Sequence, residues 1–254
     1  MKRSSGVRLC ATAVLGALSF ALVTGCSDGN ARQTPPAAKA LRVTQLKKLI
    51  IAEGEVPGYK VEPVPASRAK PITTSSARCR PLTRVMSGLP PVDAAAKADR
   101  LATENQKKTP SARPTSLDDL DEGKFEETMY TSLNRDVTTV TLASYGGSGA
   151  EKALASVSTA VGACASGFPG RQAGTTVQFT NVAEEKATGT GDGAVAFTAT
   201  MHSDDGSTAP VHAEVVRGGN TLSVYFTSNL GAMMGKKAYT VSPEVVRAQQ
   251  AKLK

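Results

Sequence analysis

A two-residue rhythm in the C-terminal half limits the fold of this chain more than any other feature. Val211, Ala213 and Val215, then Leu222, Val224 and Phe226, place apolar side chains at alternate positions, and Gly218-Gly219-Asn220 between them reads as a hairpin turn. Val195, Phe197, Ala199 and Met201 alternate in the same way within residues 194–201, and 175–182 is a further strand candidate. Residues 128–133 and 137–142 are rich in Thr and Val and also read as strands. Between the two groups, Ala150, Ala153, Leu154, Val157, Ala160, Val161 and Cys164 keep the spacing of one buried helical stripe, opened by Ser148 and Glu151 as a capping box. Ser242-Pro243-Glu244 starts a terminal helix that runs through Leu253. The order β-β-α-β-β-β-β-α, with hairpins and no repeated β-α-β alternation, predicts an α+β fold with an antiparallel sheet covered by helices on one face.

The N-terminal portion is irregular and Pro-rich. Val43, Leu46, Leu49 and Ile50 fall on one side of a helix that Gly54 and Pro57 end, and a short extended piece follows at Lys60-Val61-Glu62. A short helix is expected from Pro81 to Met86, stopping at Gly88, and an Ala-rich helix from Asp93 to Ala102. Residues 103–124 are polar and carry an acidic cluster at 118–122, which reads as a mobile surface loop or a hinge.

The first 25 residues set the compartment. Lys2, Arg3 and Arg8 precede an uncharged apolar run of 15 residues, Leu9 to Val23, too short for a comfortable membrane span. Val23-Thr24-Gly25-Cys26 resembles a bacterial lipobox. That resemblance implies a lipoprotein signal peptide over 1–25 and diacylglyceryl attachment, including palmitate, at Cys26, with the chain held on the extracytoplasmic face of the cell membrane. Residues 26–40 then form the lipidated flexible tether, and 41–254 a single extracytoplasmic domain. Setting the three leader charges aside, the net charge of +8 falls to +5, spread along the chain, so no nucleic-acid partner is expected.

With Cys10 in the leader and Cys26 under lipid, Cys79 and Cys164 remain. Two thiols in an oxidising compartment have one intramolecular pairing open to them, and it would staple the irregular N-terminal portion onto the sheet. The alternative is two separate buried thiols acting as small apolar groups.

Taken together, the Leu46/Leu49/Ile50 helix ending at Val56-Pro57-Gly58-Tyr59, the Cys79-x-Pro81-Leu82 element, the helix closing on Cys164 and the hairpin at Val216-Arg217-Gly218-Gly219-Asn220 resemble the PknH-like extracellular sensor domain of actinobacterial membrane kinases and lipoproteins. The resemblance spans most of Leu41 to Lys254. It implies a helix-covered antiparallel sheet, internal disulfides and a cleft that receives a ligand.

Catalytic and metal signals are isolated ones. Gly146-Gly147-Ser148-Gly149-Ala150 sits between a strand and a helix like a nucleophile elbow, but Ala150 stands where the motif needs glycine. Ser67-x-x-Lys70 precedes Pro71, which disfavours the helix that would bring serine and lysine together. His202 and His212 flank a hairpin loop holding Asp204 and Asp205, where two imidazoles and a carboxylate would suit zinc only if the register brought them together. The 188–193 cluster of Gly and Thr lacks the strand-loop-helix setting of a phosphate cradle. The expectation is therefore a monomeric, lipid-anchored binding or sensor-like module without catalytic activity, cofactor or metal, binding an unknown envelope ligand or protein partner. Tyr59, Tyr225 and Asn229 are candidate polar groups for a ligand pocket. The competing readings are a cell-envelope hydrolase with an unrecognised site and a structural envelope protein that presents a surface to a partner.

Overall fold

Eight strands pair into one antiparallel sheet in the computed structural model, which describes residues 38–66, 71–106, 129–204 and 206–254. They are β1 (Tyr59–Glu62), β2 (Ala96–Glu104), β3 (Val137–Ser144), β4 (Phe168–Gln172), β5 (Thr175–Glu185), β6 (Gly193–Ser203), β7 (Thr208–Gly218) and β8 (Thr221–Ser228). Their spatial order is β1-β2-β3-β8-β7-β6-β5-β4. The helices are α1 (Val43–Leu49), α2 (Arg80–Val85), α3 (Gly149–Ala163), α4 (Leu230–Met234) and α5 (Pro243–Ala251). The α+β class read from the sequence is the class observed, and in the irregular stretch between β1 and α2 Thr73 makes an isolated bridge to Arg171.

The expected placement of helices on one face needs correction, because both faces of the sheet are covered. On the first face, Val195, Phe197 and Ala199 of β6, Val211, Ala213 and Val215 of β7, and Leu222 and Val224 of β8 pack under α2 and α3. On the second face, Val140 and Leu142 of β3, Val216 of β7 and Tyr225 of β8 pack under Leu46 of α1 and Val245 and Val246 of α5. The cause is legible in the strands themselves. β3, β7 and β8 carry runs of consecutive buried residues where a half-exposed strand would alternate, and a strand buried on both sides needs two covers.

Three local expectations also change. Residues 93–102 do not form the Ala-rich helix; β2 runs through them, pairing with β1 on one side and β3 on the other. Alanine's helix preference is a few tenths of a kcal/mol per residue, which two hydrogen-bonded ladders outweigh. The small side chains of Ala98 and Ala102 fit beneath α1 in the second core. Residues 129–133 are helical, not a strand, since both flanks of β3 are already taken by β2 and β8. Ser148 is the N-cap of α3 but its side chain makes no cap hydrogen bond. With ψ at 15°, its backbone has already turned towards the helical direction, unlike the extended N-cap that a capping box uses. Of the 103–124 segment, Thr103 and Glu104 belong to β2. Residues 107–128 lie outside the described residues, as do Cys10, Cys26, Ser67, Lys70 and Asp205.

The Gly218-Gly219-Asn220 turn forms as read, with Gly218 paired to Thr221 and Gly219 at φ 57°. The structure joins Cys79 to Cys164 with Cα atoms 5.9 Å apart. The bond ties the residue capping the N-terminus of α2 to the residue capping the C-terminus of α3, so it links the two helices over the first face. Closing a separation of 85 residues restricts the unfolded chain by about 4–5 kcal/mol in the loop-entropy picture. Denaturant unfolding of the oxidised protein beside the Cys79→Ala/Cys164→Ala variant should show a loss of stability up to that size; equal midpoints would show that the bond constrains nothing that packing does not already hold.

Candidate functional site

A cleft of about 600 Å³ opens at one end of the sheet. Antiparallel pairing builds it, because Tyr59 at the start of β1 lies opposite Glu104 at the end of β2, and Val137 at the start of β3 lies opposite Ser228 at the end of β8. Residues that enter or leave strands at this end therefore converge: Pro57, Gly58 and Tyr59, then Glu104, Asp136 and Asn229. Thr131 and Asn134 line it from the 129–133 helical stretch and its exit, and Tyr239, Thr240 and Glu244 from the chain around the start of α5.

The lining is held by a connected set of hydrogen bonds. Tyr59 is 8% exposed, and its hydroxyl accepts from Ser242 Oγ at 2.8 Å. Asn229 donates through Nδ2 to Asp136 Oδ1 at 2.9 Å, and its Oδ1 accepts from the backbone N–H of Ala232, capping α4. Asp136 donates its backbone N–H to Glu104 Oε2 at 3.2 Å. Tyr239 donates its hydroxyl to the Pro210 carbonyl at 2.6 Å while its ring meets His212 edge-on, centroids 4.6 Å apart.

Burial pushes the Tyr59 hydroxyl up to about 12, opposed in part by the Ser242 bond and reinforced by the negative charges of Asp136, Glu104 and Glu244. Tyr239 is also raised, by burial first and then by Asp136. The described lining thus contains three carboxylates and no Lys or Arg, in a chain of net charge +8.

Two of the three polar residues nominated from the sequence, Tyr59 and Asn229, come together here. Tyr225 does not. It is fully buried on the second face, its hydroxyl accepting from Gln250 Nε2 at 2.8 Å. The histidines take separate partners: His202 Nε2 lies 2.8 Å from Thr180 Oγ1, and His212 Nδ1 lies 3.0 Å from Glu185. The register explains the separation, since His202 pairs with Thr208 and His212 with Thr198. Ser148 stands exposed at its turn. A second, shallower hollow of about 420 Å³ lies at the β4 edge, between Thr73–Ser75 and Arg171.

Glu104, Asp136, Tyr239 and Glu244 were not singled out from the sequence. The polar triplet Asn134-Arg135-Asp136 directly before a strand was the available signal, because strand-end loops on a rigid sheet are where binding groups concentrate.

The wall bearing Thr131 and Asn134 depends on one glycine. A Cβ on Gly231 of α4 would lie 2.2 Å from the Tyr130 carbonyl oxygen and 2.4 Å from the Asn134 backbone nitrogen. Gly231→Ala should therefore push the 129–134 segment off α4 and cost about 1–3 kcal/mol in a denaturant titration. An unchanged midpoint would mean that the two segments do not pack as described.

No family model matches the chain, and no curated protein matches it. Among solved structures, it is similar to the extracellular domain of PknH from Mycobacterium tuberculosis, at 12% identity over 85% of this chain and 97% of that one, with a TM-score of 0.43. At that level the likeness concerns the fold alone.

Proposed function

We propose that this chain is a lipid-anchored, extracytoplasmic binding module, without catalytic activity of its own, that takes a small polar envelope ligand in the cleft at the Tyr59–Asn229 end of the sheet. The cleft itself carries the reading: about 600 Å³ is within the range of small-molecule sites, and its lining is rich in carboxylate, amide and hydroxyl groups. Its position adds support. The chain enters at the opposite end of the sheet, where the Ala38 carbonyl accepts from Gly147 N–H and the Lys39 carbonyl from Asn220 Nδ2. The cleft therefore lies at the end of the sheet remote from Ala38 and Lys39. The engagement of His202 with Thr180 and of His212 with Glu185 favours binding over hydrolysis.

A surface offered to a protein partner is the second reading, favoured by Leu230 and Met234, which stand 53% and 39% exposed on α4 beside the cleft residue Asn229.

Thermal-shift screening of the chain from Ala37 against glycan fragments, lipid headgroups and envelope extract tests the proposal. A cleft ligand at 100 times its dissociation constant should add about 2.7 kcal/mol, and Asn134→Ala with Thr131→Val should abolish the shift. A shift that survives both substitutions puts the ligand elsewhere, and no shift alongside a partner crosslinked at Leu230 favours the second reading. In the same cells, Cys26→Ala should release the chain from the membrane fraction or leave the precursor uncut; processed, lipid-labelled variant protein would refute the anchor.

A further inference from the structure

Cations are spread along this chain, but their excess over acidic residues is not. Beyond the first 25 residues that excess is five, and all of it lies between Asp28 and Glu53, where Arg32, Lys39, Arg42, Lys47 and Lys48 stand without one Asp or Glu. The other residues of 26–254 balance. The fold keeps the four described members of this group in water. α1 turns Leu46, fully shielded, into the second core, and Ile50 follows it just past the helix end. Thr44, Lys47 and Lys48, spaced i, i+3 and i+4, share the outward side and are exposed. Lys39 and Arg42 are exposed just ahead of them.

None of the four makes an ion pair among the described residues. The acids that could neutralise them are engaged elsewhere: Glu53 accepts from Val61 N–H at 2.7 Å, Glu55 holds Lys252, and Glu244 pairs with Arg247. Val43, 42% exposed, adds an apolar side chain one turn before Lys47.

We propose that the exposed side of α1, together with Lys39 and Arg42, docks on the anionic headgroups of the membrane that carries the chain, an inference that rests on the reading of Cys26 as its lipid anchor. Charge complementarity is the first ground: an anionic lipid surface rewards each basic residue by about fivefold in binding, and an apolar side chain among the cations enters the headgroup layer. Reach is the second. Ala38 follows Cys26 by twelve residues, and a chain of that length spans at most about 40 Å, so an anchored molecule meets the bilayer at high local concentration. The surface also begins at the end of the sheet opposite the cleft. Leu41 N–H donates to Ser144 Oγ at 2.9 Å where β3 ends, whereas the start of β3 follows the cleft residue Asp136.

Residues 37–254 form one compact unit and exclude both the leader and Cys26, so vesicle co-sedimentation of that chain reads the surface without the anchor. Binding to vesicles of phosphatidylglycerol and phosphatidylcholine in equal parts should exceed binding to phosphatidylcholine alone. It should fall as salt is raised above about 0.15 M, where screening confines the attraction to less than about 8 Å. Arg42→Gln/Lys47→Gln/Lys48→Gln should weaken it about a hundredfold, the product of three such factors. Arg78→Gln/Lys236→Gln/Lys237→Gln removes as many exposed cations elsewhere and should keep most of the binding. No preference for the anionic vesicles, or equal loss in the two variants, would overturn the proposal, as would binding to soluble polyglycerol phosphate but not to the vesicles. The anchor is read separately in cells: if Cys26→Ala stays lipid-labelled while the chain from Ala37 binds the anionic vesicles, the anchor assignment falls and the docking surface stands.

Discussion

Everything in this molecule depends on three adjacent strands, β3, β8 and β7, being buried on both faces. Leu142, Leu222, Val224, Tyr225, Val215 and Val216 are all fully shielded, and each aliphatic side chain so buried contributes about 1.5–3 kcal/mol relative to exposure. Several polar side chains on these strands are matched as they enter the interior, whereas Ser223 Oγ on β8 is buried without a hydrogen-bond partner among the described residues. Thr138 and Thr227 share a hydrogen bond of 2.8 Å across β3 and β8, and Thr141 donates to the Gly88 carbonyl at 2.8 Å. Leaving any of these buried hydroxyls unpaired would cost about 1–3 kcal/mol, so Thr138 and Thr227 reinforce the β3–β8 register and Thr141 ties β3 to the chain that follows α2.

The two covers are secured by different means. On the first face, the Cys79–Cys164 bond fastens α2 and α3 together, and the Ala-rich stripe of α3 lets that helix lie close on β6 and β7. On the second face, Gln249 of α5 is fully buried and clamps the end of α1, accepting from Ile51 N–H at 3.0 Å and donating to the Leu49 carbonyl at 2.9 Å. The start of α5 is tied to the cleft through Ser242 and Tyr59. The same contacts that hold the second cover therefore also set the floor of the candidate site. Both sheet edges are occupied as well. Glu53 accepts from the outward N–H of Val61 on β1 at 2.7 Å, and Thr73 exchanges backbone hydrogen bonds with Arg171 on β4. Edges closed in this way resist pairing with another chain.

The sequence disclosed the parts of the fold that obey one local rule. The alternation in β6 to β8, the single stripe of α3 and the Gly218-Gly219-Asn220 turn were legible because side-chain period and turn chemistry act within a few residues. What escaped it depended on distant partners. Residues 96–104 have the alanine content of a helix and became a strand because β1 and β3 flank them. β4 contains Pro169 and Gly170, which argue against a strand, and is tolerated at the sheet edge where a proline's missing donor is harmless. At the site, Tyr59 and Asn229 stood out by residue type, whereas Tyr225 differs from them only in lying on a doubly buried strand. No local pattern announces that difference.

The central claim is that the Tyr59–Asn229 end of the sheet is a binding cleft. Amide chemical-shift mapping of the chain from Ala37, titrated with glycan and headgroup fragments, addresses it most directly. The account predicts shifts clustered on Gly58, Tyr59, Thr131, Asn134, Asp136 and Asn229. Shifts confined to Thr73, Thr74, Arg171 and Thr176 at the β4 edge, with the cleft amides unmoved, would contradict it.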